Sequence, residues 1–286
     1  MTWQTLGATA PDQLAHTREQ LHCVAQVIAN VPRLLVPAAP DWGHSAFHWD
    51  EALQALVSVE VPAGTPFRVA LRVANATALV LDQASTEVAS LATDGLTIEQ
   101  LFDWLTRHAT SQGATLPKPL DQASDTLPHP CVAGQTFDLA NRPALDELAR
   151  YYDNSNRALQ AISEANEHTT PVRTWPHHMD MALLIELDPN PEPGADPETA
   201  RSVSFGMQPG DGFSAEPYFY SSPWPYPSSP QWPALAADGA WNTEGFTAAI
   251  LSASALIAAG DAAAQQQALT AFTVSAIEGN RALLED

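Results

Sequence analysis

A histidine and a carboxylate two residues apart, His178 and Asp180, form the pair with the clearest chemical potential in this 286-residue sequence. The apolar run from Met179 to Leu187 predicts a buried strand, on which residues two apart point to the same side. On one face, the two side chains could act as an acid/base pair or ligate one divalent metal ion. His178 and Asp180 are therefore our candidate catalytic residues.

Two more carboxylates and several aromatic side chains follow within the next forty residues or so. Asp211 lies in the turn sequence Pro-Gly-Asp-Gly, and Glu216 directly precedes a predicted strand. If the two strands pair as neighbours, these carboxylates approach His178, and the aromatic rings form a pocket wall. The candidate ligand-binding residues are Trp175, Asp211, Glu216, Tyr218 and Tyr220. The candidate metal ligands are His178, Asp180, Asp211 and Glu216, with a divalent metal as the candidate cofactor.

Each of these residues also has a structural interpretation. Aspartate is typical of a tight turn whatever the function. Glu216, before a proline, could cap a helix or pair with an arginine, and His178 could donate to a backbone carbonyl. A His/Asp pair at a spacing of two is a less specific signal than a Cys-x-x-Cys pair or a His-Glu-x-x-His helix. Both interpretations stay open on the sequence.

Three motifs resemble those of an uncharacterised bacterial protein family. They are Trp175-Pro-His-His-Met-Asp-Met-Ala182, Pro209-Gly-Asp211 and Glu216-Pro-Tyr-Phe-Tyr220. The family pattern is Trp-Pro-x-His-Phe-Asp-x-Ala, then Ser-Pro-Gly-Asp, then Glu-Pro-Tyr-x-Tyr. This sequence differs at Met179 and Gln208, so a role that needs an aromatic ring or a hydroxyl there is not carried over. The resemblance implies relatives but no mechanism.

The composition excludes several classes of function. The chain has 33 acidic and 12 basic residues, a formal charge of −21. Such a surface repels nucleic acid and anionic membranes, and a neutral or cationic small molecule fits its field better as partner. The alternative is that the charge only provides a solvated, soluble surface. Lys118, the single lysine, lies between two prolines. P-loop and pyridoxal-phosphate enzymes are therefore poor candidates, because both depend on a suitably placed lysine.

The two cysteines, Cys23 and Cys131, have no metal-binding spacing and form no disulfide framework. We expect both to be free thiols in a reducing compartment. The sequence contains no basic region followed by an apolar run at Met1 and no apolar stretch that approaches a membrane span. These features predict a soluble cytoplasmic protein.

Periodicity in the first part of the chain predicts a helix, three strands and a helix. The first helix follows Asp12 and ends before Pro32. The strands span Leu56–Val61, Phe67–Val73 and Ala78–Leu81, and their short connections indicate an antiparallel meander. A capping box at Thr97 begins the next helix, which ends near His108.

In the second part of the chain, a cap at Asn141 predicts a helix that ends near Glu167. The strands of the candidate site follow, and then two helices, one over Thr243–Ala259 and one that begins at Asp261. The stretch 111–141 is polar and rich in proline, which is typical of a linker.

We predict an α+β fold with antiparallel strands flanked by helices. The predicted organisation is an N-terminal half (1–110), a Pro-rich linker (111–141) and a C-terminal half (142–286) that carries the candidate site. Each half has a long helix followed by Trp-x-His, at Trp42 and at Trp175. This similarity suggests two related helix–strands–helix halves from an internal duplication.

Two functions remain open on the sequence. The first is a small-molecule-binding protein or enzyme with a His/carboxylate pocket, dependent on a divalent metal if one binds. The alternative is a non-catalytic structural or protein-interaction module. In that case the segment Pro223–Pro233 packs over a sheet edge or presents Trp224, Tyr226 and Trp232 to a partner.

Overall fold

The computed structural model describes residues 2–120, 134–189, 199–228 and 231–285. In these ranges there are five α-helices and eleven strands, so the predicted α+β class is confirmed. The helices are α1 (Ala15–Leu35), α2 (Ile98–Ser111), α3 (Arg142–Ala165), α4 (Ala253–Ala258) and α5 (Ala262–Glu285). The strands are β1 (Phe47–Asp50), β2 (Ala55–Ser58), β3 (Arg68–Arg72), β4 (Thr77–Leu81), β5 (Glu87–Ala92), β6 (Arg173–Thr174), β7 (Met181–Glu186), β8 (Ser202–Gln208), β9 (Tyr218–Trp224), β10 (Ala240–Asn242) and β11 (Ala248–Ser252).

The chain divides into two compact units, and neither is a continuous segment. The first unit contains Gln13–Ala149 and Arg173–Met179. The second unit contains Met1–Asp12, Arg150–Val172 and Asp180–Asp286. The predicted linker, 111–141, lies within the sequence range of the first unit, and its residues 121–133 lie outside the described residues.

The strands of the first unit follow the order β6-β1-β2-β3-β4-β5, with antiparallel pairing in register from β1 to β4. Helix α1 packs against β3 and against α2. The alternation predicted for β3 holds only in part. Val69 and Leu71 are buried while Arg68 and Arg72 are partly exposed, but Ala70, on the predicted wetter face, is fully buried. The order β1 to β5 confirms the antiparallel meander.

Two helix starts in the first unit follow local signals in the sequence, whereas the predicted end of α1 before Pro32 was wrong, because the helix includes Pro32 and continues to Leu35. Thr97 accepts a hydrogen bond from the backbone N–H of Gln100, and the Gln100 side chain accepts one from the Thr97 N–H, which confirms the capping box. At α3, the Asn141 side chain accepts from Ala144 N–H at 3.3 Å. Each side chain satisfies a donor that a helix start leaves without an intrahelical partner.

The prediction of three strands in this part of the chain was wrong, because β1 and β5 are also present. The strand β1 is only four residues long. It forms a strand because both β2 and β6 pair with it. The residues of β5 are mostly exposed, so they lack the alternation by which a half-buried strand is recognised.

In the second unit the strand order is β10-β11-β9-β8-β7, again antiparallel. Helix α5 packs against β8, β9 and β11. Phe272 of α5 is fully buried, and its ring centroid lies 6.1 Å from that of Phe205 on β8. The core of this unit therefore lies between α5 and one face of its strands.

The prediction of one helix over Thr243–Ala259 was wrong. Residues 248–252 form β11, which pairs with β9, and only Ala253–Ala258 is helical. Ser252 ends the strand and caps the short helix by accepting from Ala255 N–H at 3.2 Å. Tertiary pairing with β9 overrides the helix propensity of this alanine-rich sequence.

The predicted strand over Met179–Leu187 begins later than expected, at Met181. The residues before it form a turn, in which the N–H groups of His178 and Met179 both donate to Trp175 O. Met179 has φ 60°, a left-handed conformation that no strand residue adopts. The prediction that His178 and Asp180 share one strand face was therefore wrong.

Cys23 corrects a further prediction, because it is buried on α1 and disulfide-bonded rather than a free thiol. A single pair of cysteines more than a hundred residues apart carries no spacing signal that could have indicated this. The predicted free thiol at Cys131 lies outside the described residues. None of the helices described is long and apolar enough to span a membrane.

Candidate functional site

Two tyrosine–carboxylate pairs connect predicted site residues in the second unit. Tyr220 donates to Asp180 Oδ2 at 2.7 Å, and Tyr218 donates to Asp211 Oδ2 at 2.9 Å. Burial first, and then the neighbouring carboxylates, raise the pKa of both phenols far above 10. At neutral pH both hydroxyls are therefore donors that hold the carboxylates in place.

The backbone places both tyrosines on one face of the strands. Gln208 pairs with Tyr218 and Gly206 with Tyr220 across β8 and β9. A Cβ atom at Gly206 would lie 2.7 Å from the Tyr220 ring, so only glycine lets the ring cross β8 there. The Gln208 Oε1 atom is buried and has no hydrogen-bond partner, which leaves one open acceptor on this face.

Asp211 has a structural role in its turn, as the alternative interpretation proposed. Its Oδ1 atom accepts from Phe213 N–H at 2.9 Å and from Ser214 N–H at 3.0 Å. Its own N–H donates to Ser214 O at 2.7 Å. With Tyr218 on the other oxygen, both carboxylate oxygens of Asp211 are engaged.

Glu216 contacts helix α4, whereas Asp211 contacts its own turn. Its Oε2 atom accepts from the Ser254 backbone N–H at 2.8 Å and from the Ser254 hydroxyl at 2.6 Å. Ser254 is the second residue of α4, so Glu216 supplies a negative charge and an acceptor at a helix start. The structure thus groups Asp180, Asp211, Tyr218 and Tyr220 and directs Glu216 to α4.

Trp175 and His178 belong to the first unit, where two Trp-x-His turns meet. Arg173 forms an ion pair with Asp41, and its guanidinium lies against Gly43, which leaves no room for a Cβ atom there. The same guanidinium lies 5.8 Å from the Trp175 ring centroid. The two motifs noted in the sequence are therefore in contact through one arginine.

The histidines of this turn are close to each other. The ring centroids of His177 and His178 are 4.5 Å apart, and the His22 Nε2 atom lies 2.8 Å from Pro176 O. Burial of the His177 ring, and then the His178 and Arg33 charges, lower the pKa of His177 to about 4. His177 is consequently neutral at physiological pH.

No group of three or more His, Cys, Asp or Glu side chains suited to a metal ion occurs in the described ranges. Asp211 and Glu216, both candidate metal ligands, already accept hydrogen bonds. Asp211 accepts one within its own turn, and Glu216 accepts one at the start of α4.

A groove of about 380 Å³ lies between α3 and α5 in the second unit. Its apolar lining comes mainly from Ile162 on α3 and from Leu269, Val274 and Ile277 on α5. Three alanines of α3 widen it, namely Ala158, Ala161 and Ala165. The rim is polar and includes Arg157, Asn166, Glu278 and Arg281. This volume lies within the range of about 300–1,000 Å³ that is typical of ligand pockets.

The N-terminal segment closes one side of the groove through Trp3. Two side-chain amides bind the backbone of this segment. Asn154 of α3 accepts from Gln4 N–H and donates to Gln4 O, and Gln265 of α5 makes the same pair of bonds to Leu6. The segment is therefore fixed to both helices that form the groove.

The sequence contains one signal for this groove. Ala158, Ala161 and Ala165 recur at spacings of three and four, which places small side chains on one face of α3. The N-terminal segment gave no signal, because Gln4 and Leu6 bind residues 149 or more positions away.

Comparisons with known proteins add no relative to this description. No protein-family model matches the chain, and no curated protein or solved structure matches it. The functional argument therefore depends on the geometry alone.

Proposed function

We propose that this chain is a small-molecule-binding protein whose ligand site is the groove between α3 and α5. One observation carries the proposal, namely an apolar concavity of about 380 Å³ formed by two helices within a single unit. Val274 lines the groove and remains 51% exposed, so apolar surface is open to solvent there. A ligand that covers this surface gains the free energy of apolar burial, about 25 cal/mol per Å².

The groove supports binding better than the sequence-predicted pocket does. In that pocket Asp211 and Glu216 already hold a turn and a helix start. The groove side chains Ile162, Leu269 and Ile277 belong to helices that the buried core and the N-terminal segment hold in place. Such a site is largely formed before a ligand arrives, which reduces the entropic cost of binding.

A blocking substitution tests the site. Ala161→Trp places a large ring in the groove from an exposed position, so it should not disturb the core. We expect the neutral fluorescent probe 1-aminoanthracene to bind the native protein with increased emission. The variant should bind it at least tenfold more weakly, measured by fluorescence titration.

The matched control is Ala215→Trp, which adds the same ring at an exposed turn outside the groove. This variant should bind the probe like the native protein. If both variants bind equally, or if the native protein does not bind the probe, the groove is not the ligand site.

A second candidate function is a protein-interaction module, favoured by exposed aromatic residues in the second unit. Trp224, Tyr226 and Trp232 are 39%, 45% and 39% exposed. Trp224 and Tyr226 pack edge to face at 5.5 Å, and Trp232 packs on Trp241. Aromatic residues of this kind are enriched at the centres of protein interfaces.

Hydroxyl-radical footprinting tests this second function. We expect Trp224, Tyr226 and Trp232 to be oxidised readily in purified protein and to be protected inside cells that contain the partner. Trp42, which is 56% exposed in the first unit, is the internal control. Equal protection of Trp42 and the three residues, or no protection at all, would argue against an interface.

Three further predictions from the sequence belong to this proposal. The motif resemblance supports membership in the uncharacterised bacterial family. A cytoplasmic location stays a prediction, although its argument from free thiols no longer holds at Cys23. Catalysis by His178 and Asp180, with or without a divalent metal, also stays a prediction, since the turn at Met179 removes the shared strand face on which it was based.

A further inference from the structure

Arg281 of α5 is half-buried, lines the groove and has no carboxylate partner among the described residues. Its Nη2 atom donates to Asn166 Oδ1 at 2.7 Å. Its Nε atom is buried and has no hydrogen-bond partner. No ion pair to Arg281 occurs within the described part of the chain. Since arginine carries five N–H donors, most of its donors remain for another acceptor.

Arg157, the other arginine of the groove, differs from Arg281 because it has a carboxylate partner. Arg157 binds both oxygens of Asp153 at 3.2 Å, so a buried carboxylate already balances its charge. The chain has 33 acidic and 12 basic residues, so carboxylate partners are plentiful. Arg281 is half-buried and has a neutral amide as its hydrogen-bond partner instead.

The Arg281 guanidinium and the apolar lining of the groove together define a class of ligand. A carboxylate matches the planar donor fork of arginine and forms charge-assisted, bidentate hydrogen bonds. Beside the guanidinium, the groove offers Ile162, Leu269 and Ile277 to an apolar chain. We infer that the ligand of the groove is an amphipathic carboxylate, such as a medium-chain fatty acid, with its head group on Arg281. This inference rests on the groove being the ligand site.

The net charge of −21 favoured a neutral or cationic ligand on the sequence alone. That argument applies to the long-range field, which salt screens over about 8 Å at physiological ionic strength. A carboxylate in contact with Arg281 interacts at hydrogen-bond distance, where screening has little effect. Glu278 also lines the groove but is exposed, so we assign the head group to the half-buried Arg281 on contact chemistry rather than on the net charge.

A matched pair of ligands tests the head group. Decanoate and 1-decanol have the same number of carbon atoms and differ in the charge of the head group. We expect decanoate to displace 1-aminoanthracene from the native protein at a concentration at least tenfold lower than 1-decanol. Arg281→Gln should weaken decanoate about tenfold and leave 1-decanol unchanged. Octanoate should bind about tenfold or more weakly than decanoate, since each methylene contributes about 0.8 kcal/mol.

Two further variants complete the experiment. Arg107→Gln removes the same charge from an exposed site on α2 and should not change the affinity for decanoate. Arg281→Lys keeps the charge without the planar fork and should lose part of the affinity. If Arg281→Gln does not fold, Arg281→Lys tests the role of the guanidinium in its place.

The outcomes separate the two proposals. Equal affinities for decanoate and 1-decanol, or decanoate binding unaffected by the Arg281 variants, would overturn the carboxylate inference while the groove remains the ligand site. If neither ligand displaces the probe and Ala161→Trp does not change probe binding, the groove is not the site and the proposed function fails.

Discussion

Asp153→Ala should lower the free energy of unfolding by about 3–5 kcal/mol, the cost of removing one partner from a buried ion pair. The Asp153 side chain is completely buried, whereas that of Arg157 is 19% exposed. Asp153 also accepts from Gln4 Nε2 at 2.8 Å. Without the carboxylate, the Arg157 guanidinium and the Gln4 amide lose their acceptor together. Urea denaturation followed by circular dichroism measures the change.

Two variants serve as references for Asp153→Ala. Asp146→Ala removes an exposed aspartate from the same helix and should change the stability by less than about 0.5 kcal/mol. Asp153→Asn keeps one acceptor for Arg157 and Gln4, so its loss should be intermediate. Equal stabilities of Asp153→Ala and Asp146→Ala would show that the buried pair does not stabilise the second unit.

Gln265→Leu should destabilise the protein by about 2–4 kcal/mol, because it removes four hydrogen bonds from a fully buried amide. Gln265 Oε1 accepts from Leu6 N–H at 2.9 Å and from Trp3 Nε1 at 3.4 Å. Its Nε2 atom donates to Leu6 O and to Gly260 O, both at 3.0 Å. Leucine is of similar size, so the cost comes from backbone groups left without partners.

Hydrogen exchange distinguishes the two ways in which Gln265→Leu could act. If the N-terminal segment detaches, the Leu6 amide should exchange faster while the amides of β8 and β9 do not change. Gln267→Leu, at an exposed position two residues later, is the control and should affect neither stability nor exchange. Retention of slow exchange at Leu6 would contradict the role of Gln265 as the anchor.

The helices that the sequence predicted correctly carry local signals. The Thr97–Gln100 capping box and the Asn141 cap depend on residues three apart, so their interactions are encoded within one helical turn. The pattern of Val69 and Leu71 against Arg68 and Arg72 in β3 is likewise local. The strand β11 was missed because its partner β9 lies about thirty residues earlier and its alanines favour a helix in isolation.

The candidate site was predictable only in part for the same reason. The turn role of Asp211 follows from its own Pro-Gly-Asp-Gly sequence. The contact between Tyr220 and Asp180 requires the registers of three strands. The left-handed conformation of Met179 has no sequence signal, because methionine rarely adopts it. Neither Arg281 nor the groove was foreseen, since both require α3 and α5 to be placed side by side.

The strand β5 ends the strand order of the first unit, and Val88 on it is 51% exposed. A strand edge with no further strand beside it among the described residues can act as a template for another polypeptide and so start aggregation. Here Glu87 adds a charge, paired with Arg72, and the register shift between Val80 and Leu81 interrupts the regular ladder. Charges and bulges at an edge hinder intermolecular strand addition. The least regular strand of the unit thus helps to keep neighbouring molecules apart in concentrated solution.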